Sequence, residues 1–146
     1  MPSPVKRFAV FDLDETITSR GTWGRFVSRS VKGKPHKLLG LWARAGFGQI
    51  LYKFGSKERI SVKRAMLRWS LSGQSRAALQ KLADDFADEE VKSGLRPGAV
   101  RQIEAHRAAG DHILIASAGA DIVVEAIAKR LGIETVISTN LAWNGE

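Results

Sequence analysis

The sequence predicts an α/β fold, with a parallel, doubly wound sheet that a long helical insertion interrupts. Short β-branched and aromatic segments alternate with helical segments at the start and in the last third of the chain, which is typical of such sheets. Between them, residues 19–92 carry helical spacing of their apolar side chains. A chain of 146 residues with 44% hydrophobic residues can bury a core of this size.

The first strand is predicted at residues 7–11, because a short run of β-branched and aromatic residues is typical of a buried parallel strand. Asp12 and Asp14 follow it. Residues two apart in an extended chain point to the same side, so these carboxylates are expected to present neighbouring oxygens at the strand's carboxyl end. Open parallel sheets bind their ligands at this edge.

The insertion is predicted to be helical because apolar residues recur at spacings of three and four, as at Val62, Met66 and Trp69. Residues 38–52 are apolar enough to raise the question of a membrane helix. Arg44 and three glycines in this stretch argue against a span, which needs ~20 mostly apolar residues. Two interpretations of this stretch are left: a helix that lies at a membrane interface, and a helix packed within the insertion.

The formal charge of +8 is concentrated in this insertion. From Ser19 to Leu82 the chain holds fifteen basic residues and one acidic residue, Glu58. Such a surface attracts phosphorylated substrates, acidic lipid or nucleic acid, so the charge predicts the sign of a partner and not its kind. A solvated surface accounts for the same charge. The acidic cluster at residues 84–90 is interpreted as a solvated helix face.

After the insertion, a helix is predicted to begin at Pro97 and to end before Gly110, because proline suits the first helical turn and glycine the C-terminal cap. Strand two is predicted at residues 112–116. It leads into Ser117, whose hydroxyl can bind a phosphate oxygen, and into Gly119, which lets the backbone approach closely.

The last helix and strand complete the alternation. Asp121 is predicted to cap a helix that ends near Gly132, and strand three is predicted at residues 135–138. Strand, helix, strand, helix and strand in this order indicate a parallel sheet with helical crossovers.

The two aspartates suggest phosphoryl chemistry. A carboxylate beside a bound divalent cation can attack phosphorus, which makes Asp12 a candidate nucleophile. Asp14 can protonate the leaving oxygen and later deprotonate a water. Mg²⁺ prefers oxygen ligands, so Asp12, a main-chain carbonyl such as that of Asp14, and the substrate phosphate are candidate ligands. The residues after Asp14 do not follow the calcium-loop pattern. An Asp-x-Asp pair alone also occurs in turns and solvated loops, so the strand context carries the argument.

The run from Asp12 to Thr16 resembles motif I of the haloacid dehalogenase superfamily, and Ser117 after an apolar strand resembles its motif II. The layout is similar to subfamily IB, the phosphoserine-phosphatase-like branch. This resemblance implies an incomplete Rossmann-like core at residues 1–18 and 93–146, with a helical C1-type cap at 19–92. It also implies Asp12 as nucleophile, Asp14 as acid/base, Ser117 as a phosphate ligand and Mg²⁺ as the cofactor. We expect Asp12 and Asp14 to hold the metal, and Ala118, Gly119 and Thr16 to bind phosphate beside Ser117.

Two departures from the family pattern bear on function. Phosphoserine phosphatases carry a glutamate for the substrate's amino group where this chain has Gly21, so another phosphomonoester is expected. Arg20 and Arg25 nearby make a lipid-derived phosphate a candidate. The family's later lysine and acidic pair, which complete the metal site, do not occur up to Glu146. A fragment or a truncated product is therefore expected, with strand one exposed at the sheet edge.

These observations predict a magnesium-dependent phosphatase that acts on a phosphate monoester through an aspartyl-phosphate. The alternative is an inactive chain that binds anionic lipid or nucleic acid through its basic insertion, although no nucleic-acid recognition motif accompanies the charge. The expected partners are a small phosphorylated substrate, a membrane surface contacted peripherally, and a second copy at the sheet edge. The chain lacks cysteine, and its N-terminal apolar stretch is too short and too acidic for a signal peptide, so a cytoplasmic location is expected.

Overall fold

A computed structural model describes residues 7–53 and 59–143, without the side chains of residues 48, 49, 51–53 and 59–63. Its helices are α1 (Trp23–Ser30), α2 (Pro35–Lys53), α3 (Arg59–Leu71), α4 (Arg76–Ser93), α5 (Pro97–Ala108) and α6 (Asp121–Arg130).

Two compact units divide the chain. The sheet unit comprises Met1–Trp23 and Gln80–Glu146, and the helical unit comprises Gly24–Leu79. The helical unit is shorter than the insertion expected at residues 19–92, because most of α4 belongs to the sheet unit.

The sheet unit is built on a parallel sheet, which confirms the predicted α/β class. Its described strands are β1 (Phe8–Phe11), β2 (His112–Ala120) and β3 (Thr135–Thr139), in the order β1-β2-β3. The first and third strands lie within one residue of their predicted bounds. The central strand, β2, extends four residues beyond its predicted end.

The extension of β2 contains an irregularity in the pairing. Ala116 lies opposite Ile137 and Ala120 lies opposite Thr139, so four steps along β2 match two along β3. The intervening residues 117–119 therefore bulge out of the ladder. Bulges of this kind change the direction in which side chains point at the end of a strand.

Helices α5 and α6 begin and end close to the predicted positions. Pro97 is the first residue of α5, and Gly110 and Gly132 follow the last turns of α5 and α6 with φ of 74° and 65°. Glycine adopts this left-handed conformation without steric cost. The cap prediction for Asp121 was off by one position, because Ala120 is the N-cap and Asp121 is the first helical residue.

The core of the sheet unit includes α6 and one face of the sheet. Ile115 of β2 and Val124 of α6 are fully buried. On the other face, the register groups Phe8, Val10 and Ile137, and all three side chains are exposed. Within residues 7–53 and 59–143, no strand pairs with the outer edge of β1.

The acidic cluster of α4 is not wholly solvated, which corrects the sequence-based interpretation. Arg130 of α6 bonds to Asp84 at 3.1 Å and also to Asp88. The hydrogen bond from Arg130 lowers the pKa of Asp88, and the same bond raises the pKa of Arg130. These pairs tie the second half of α4 to α6.

The helical unit is organised around the packing of α2 on α3. The Trp69 Nε1–H donates to the Lys37 carbonyl at 2.8 Å, and the Arg44 guanidinium lies 3.9 Å from the centroid of the Trp69 ring. A Cβ atom at Gly40 would lie 2.7 Å from that ring, so glycine is needed for this approach. Among the described helices, none combines the length and the apolar character that crossing a bilayer requires.

Within the sheet unit, two segments on either side of the helical unit in the sequence lie next to each other, and they are here called the neck. Thr18 forms an antiparallel bridge with Leu95. Beside it, the Ser19 N–H donates to the Gly94 carbonyl at 2.8 Å. The residues between the two segments thus form a loop whose ends are pinned together.

Candidate active site

Asp12 follows β1 with an extended backbone and caps an irregular turn that contains Asp14, so the two aspartates do not lie on one extended strand as predicted. The turn, Leu13–Ile17, is closed by the Thr18 N–H, which donates to the Leu13 carbonyl at 2.9 Å. Leu13 is fully buried, whereas Asp12 is exposed and Asp14 is half-buried. The residue between the two carboxylates therefore anchors the turn in the core.

Glu15 reverses the chain within this turn. Its φ of 59° and ψ of 8° are left-handed, and it is the only non-glycine residue with positive φ in the described part of the chain. This conformation costs roughly 1–2 kcal/mol for a residue with a side chain. Such strain persists where the surroundings fix the backbone, and here Leu13 and Ile17 are fully buried on either side.

Asp14 is held by one residue that sequence reasoning missed. Its Oδ1 accepts from the Thr22 N–H at 2.8 Å and from the Thr22 hydroxyl at 2.7 Å. Thr22 itself is buried. Because both bonds go to Oδ1, the carboxylate is oriented and Oδ2 is the oxygen that can face a substrate. No spacing rule links a threonine to a carboxylate eight positions earlier, so the sequence contained no signal for this contact.

The Asp12 carboxylate has a simpler environment. Its Oδ1 accepts from the Leu13 N–H at 2.8 Å, which fixes the side chain against its own turn. The residue is exposed, so the carboxylate is accessible to a phosphoryl group.

The bulge of β2 shapes the second part of the site. The Ser117 Oγ accepts from the Gly119 N–H at 3.1 Å, and its hydroxyl proton remains available for donation. The Ala118 carbonyl accepts from the Thr139 hydroxyl at 3.2 Å, which ties the bulge to β3. A Cβ atom at Gly119 would lie 2.9 Å from Val124 Cγ2, so the bulge packs against α6 only with glycine at this position.

The register of β1 and β2 brings these two parts to the same edge. Phe11 lies opposite Ile115. The residues that follow them, Asp12 and Ala116, therefore lie side by side, and the chain continues from them into the turn and the bulge. Thr16, predicted to bind phosphate, is exposed in the turn. Among the hydrogen bonds of the described residues, none joins Thr16 to the bulge, and its role stays a prediction.

Asp121 braces the same edge from α6. Its Oδ1 accepts from the Ile122 N–H at 2.7 Å, and its Oδ2 accepts from the Leu141 N–H at 3.1 Å. The sequence pointed to Asp121 as a helix cap only. The second bond shows that it also holds the segment that follows β3.

The donors at this edge fit Mg²⁺ in type. Asp12 can supply a carboxylate oxygen and Asp14 its main-chain carbonyl, and Mg²⁺ is bound in proteins by one or two carboxylates together with water and substrate phosphate. Over the ranges that the structure describes, no group of three or more acidic, histidine or cysteine side chains could hold a metal ion. The pair is therefore the candidate metal-binding element of this chain.

Comparison with known proteins gives a family and a fold. The family model described as haloacid dehalogenase-like hydrolase matches residues 9–146. Protein CicA of Caulobacter vibrioides is 31% identical over 131 residues, which are 90% of this chain and 57% of that protein. The chain therefore spans little more than half the length of this relative.

Two solved structures illustrate the fold. A protein with unknown function from Bordetella pertussis Tohama I aligns with a TM-score of 0.80 at 22% identity, over 96% of this chain and 63% of that chain. A substrate-bound phosphoserine phosphatase aligns with a TM-score of 0.56 at 16% identity, over 97% of this chain and 60% of the other. At these identities the likeness is one of fold.

Proposed function

This chain belongs to the haloacid dehalogenase-like hydrolase family, and from that premise we propose that it carries the nucleophile and the acid/base of a phosphomonoester hydrolase. The observation that supports the proposal is the edge that Asp12, Asp14 and Ser117 share at the ends of β1 and β2. Ligands of open parallel sheets bind at this edge.

In the proposed first step, an oxygen of Asp12 attacks the phosphorus atom, and the bond from phosphorus to the ester oxygen breaks. The leaving alkoxide takes a proton from Asp14, so the alcohol departs neutral and Asp12 carries the phosphoryl group. In the second step, Asp14, now a carboxylate, removes a proton from the attacking water. Inorganic phosphate leaves and Asp12 is regenerated.

Thr22 and Ser117 are proposed to position the reacting groups. The two bonds from Thr22 fix Oδ1 of Asp14, which leaves Oδ2 to exchange the proton. The Ser117 hydroxyl, whose lone pair already accepts from the Gly119 N–H, can donate its proton to a phosphoryl oxygen. Each of these contacts orders a group before the substrate arrives.

The Asp12 carboxylate and the main-chain carbonyl of Asp14 would hold Mg²⁺, which when bound screens the repulsion between the Asp12 carboxylate and the phosphate dianion. We propose this metal dependence from the donor types and from the family. The cytoplasmic location expected from the sequence stays a prediction.

The substrate is proposed to be a phosphate monoester other than phosphoserine. Gly21 replaces the glutamate that binds an amino group in phosphoserine phosphatases, and a Cβ atom at Gly21 would meet no atom of the described residues within 4 Å. The position next to Thr22 is therefore open and carries no charge for an ammonium group. A lipid-derived phosphate is the candidate that the basic residues favour.

The test is phosphate release by the full product of the reading frame that encodes these residues, with and without Mg²⁺, on a panel that includes phosphoserine and glycerol phosphate. Asp12→Asn is expected to lower kcat at least about a thousandfold, because the amide cannot form the ester intermediate. Asp85→Asn, on the exposed side of α4, is the matched control and is expected to keep full activity. Near-parental activity of Asp12→Asn would exclude Asp12 as the nucleophile.

A further inference from the structure

Helix α2 presents a row of large apolar side chains to solvent. Leu39, Trp42, Phe47 and Ile50 are exposed by 74%, 58%, 63% and 55%. With about 3.6 residues per turn, these positions and the exposed Gly46 fall within an arc of about 140°, with Phe47 at the border nearest to Gly40. We call the four side chains the apolar stripe.

The apolar stripe is not the surface that α2 uses to pack on α3. That contact is made by Gly40, which lies against the Trp69 ring, and by Arg44, which stacks on the same ring. Leu41, on the same side as these residues, is 1% exposed. Helix α2 is thus apolar on two sides, one buried within the helical unit and one open to solvent. Contiguous exposed patches of this kind mark interaction surfaces in soluble proteins.

The basic charge of the protein lies in the unit that carries the stripe. Residues 24–79 contain thirteen lysines and arginines and one acidic residue, a formal charge of +12, whereas the rest of the chain has a formal charge of −4. Lys32 and Lys34 are exposed in the turn that leads into α2, and Arg64 and Arg68 are exposed on α3. The apolar and cationic features therefore occur together on a unit of 56 residues.

We propose that the helical unit docks on an anionic lipid surface, with the apolar stripe inserted at the level of the headgroups. A lipid interface offers an apolar layer for the stripe and negative charge for the lysines and arginines, so it matches both features of the helical unit. Nucleic acid offers phosphates but no comparable apolar layer for Leu39 and Ile50. A second copy would place two units of +12 against each other. The proposal does not depend on the catalytic one.

Vesicle sedimentation of the full chain tests the proposal without metal or substrate. Binding is expected to vesicles of phosphatidylcholine with about 30 mol% phosphatidylglycerol and to be at least about tenfold weaker to phosphatidylcholine alone. Trp42→Gln/Phe47→Gln is expected to lower partitioning into the anionic vesicles at least about tenfold, because apolar side chains no longer enter the interface. Val10→Gln/Ile137→Gln, two equally exposed apolar residues of the sheet unit, is the matched control and should bind like the parent.

Several outcomes would overturn the proposal. One is parental binding by the stripe variant; another is loss of all binding at about 0.15 M salt, which indicates only generic charge attraction. A third is a parent that elutes as a dimer and a stripe variant that elutes as a monomer, with neither binding vesicles, because the stripe then joins two copies. Circular dichroism checks folding, and Leu39→Gln/Ile50→Gln serves as the second stripe variant if the first is unfolded.

Discussion

The contact between Thr22 and Asp14 controls the proposed acid/base at the scale of single residues. Thr22→Val keeps the shape and the backbone N–H bond but removes the hydroxyl that donates to Oδ1 at 2.7 Å. Loss of a hydrogen bond to a charged group costs about 1.5–3 kcal/mol, so kcat of the full-length product is expected to fall about tenfold to a hundredfold, with little change in KM. Thr22→Ser restores the donor and is expected to recover most of kcat. Equal loss in both variants would mean that Thr22 acts only in packing.

Asp111, at the end of the strands away from the candidate site, makes the free energy of unfolding depend on pH. It accepts from His106 at 2.8 Å and pairs with Arg7 at 2.7 Å. The hydrogen bond from His106 and the charge of Arg7 lower the pKa of the Asp111 carboxyl in the folded protein. A lowered pKa contributes stability above the ordinary value of 3.8 for an unfolded aspartate, and this contribution is lost as the pH falls through the folded value.

Urea unfolding at pH 6 and pH 3 measures this contribution. Asp111→Asn is expected to be less stable than the parent at pH 6 and to lose less stability than the parent on going to pH 3, because the amide does not titrate. Asp85→Asn, which among the described residues breaks only an exposed pair with Lys81, is expected to keep the parental pH profile. If Asp111→Asn lost as much unfolding free energy as the parent between pH 6 and pH 3, this role of Asp111 would be contradicted.

At the scale of the secondary-structure element, we expect alanine substitutions at two glycines of α2 to change stability in opposite directions. At Gly40, an added Cβ atom would lie 2.7 Å from the Trp69 ring, which its bond to Lys37 holds in place. Gly40→Ala is therefore expected to destabilise the helical unit by about 1–3 kcal/mol, as overpacking does elsewhere. A Cβ atom added at Gly46 would meet no atom of another described segment within 4 Å, so Gly46→Ala is expected to stabilise the helix by about 0.5–1 kcal/mol. Chemical denaturation followed by circular dichroism compares the two, and like signs for both would count against this account of α2.

The elements that sequence predicted well are those with local causes. β1 follows from a run of apolar residues, and α5 begins at Pro97 and is followed by Gly110, because proline and glycine have strong conformational preferences of their own. The bulge at residues 117–119 could not be predicted, since it depends on how β2 pairs with β3. The same limit applies within the site: the residue types at Asp12, Asp14 and Ser117 were visible, but the turn that holds the aspartates was not.

At the scale of the whole molecule, the outer edge of β1 is expected to cause self-association. Phe8 and Val10 are exposed beside this edge, and an apolar strand edge is a template for pairing with another chain. We propose that a second copy pairs there. Sedimentation velocity of the 146-residue chain at rising concentration is expected to show association, and Val10→Lys is expected to weaken it at least about tenfold, since edge lysines oppose pairing. Leu39→Lys, a matched change on α2, should associate like the parent; equal weakening by both would point to a surface other than β1.

The pairing of Phe8 with His112 also determines which part of the protein can fold first during synthesis. The contacts of the helical unit are local in sequence, whereas β1 must wait for a strand that is made about a hundred residues later, a separation that slows folding. At typical rates of synthesis of about 5–20 residues per second, β1 spends on the order of 5–20 s without its partner. For most of that interval the neck cannot close either, because Leu95 follows the entire helical unit in the chain. A nascent chain would thus contain a folded helical unit and an unpaired apolar strand, and exposed strands of this kind are the part of a folding intermediate that aggregates.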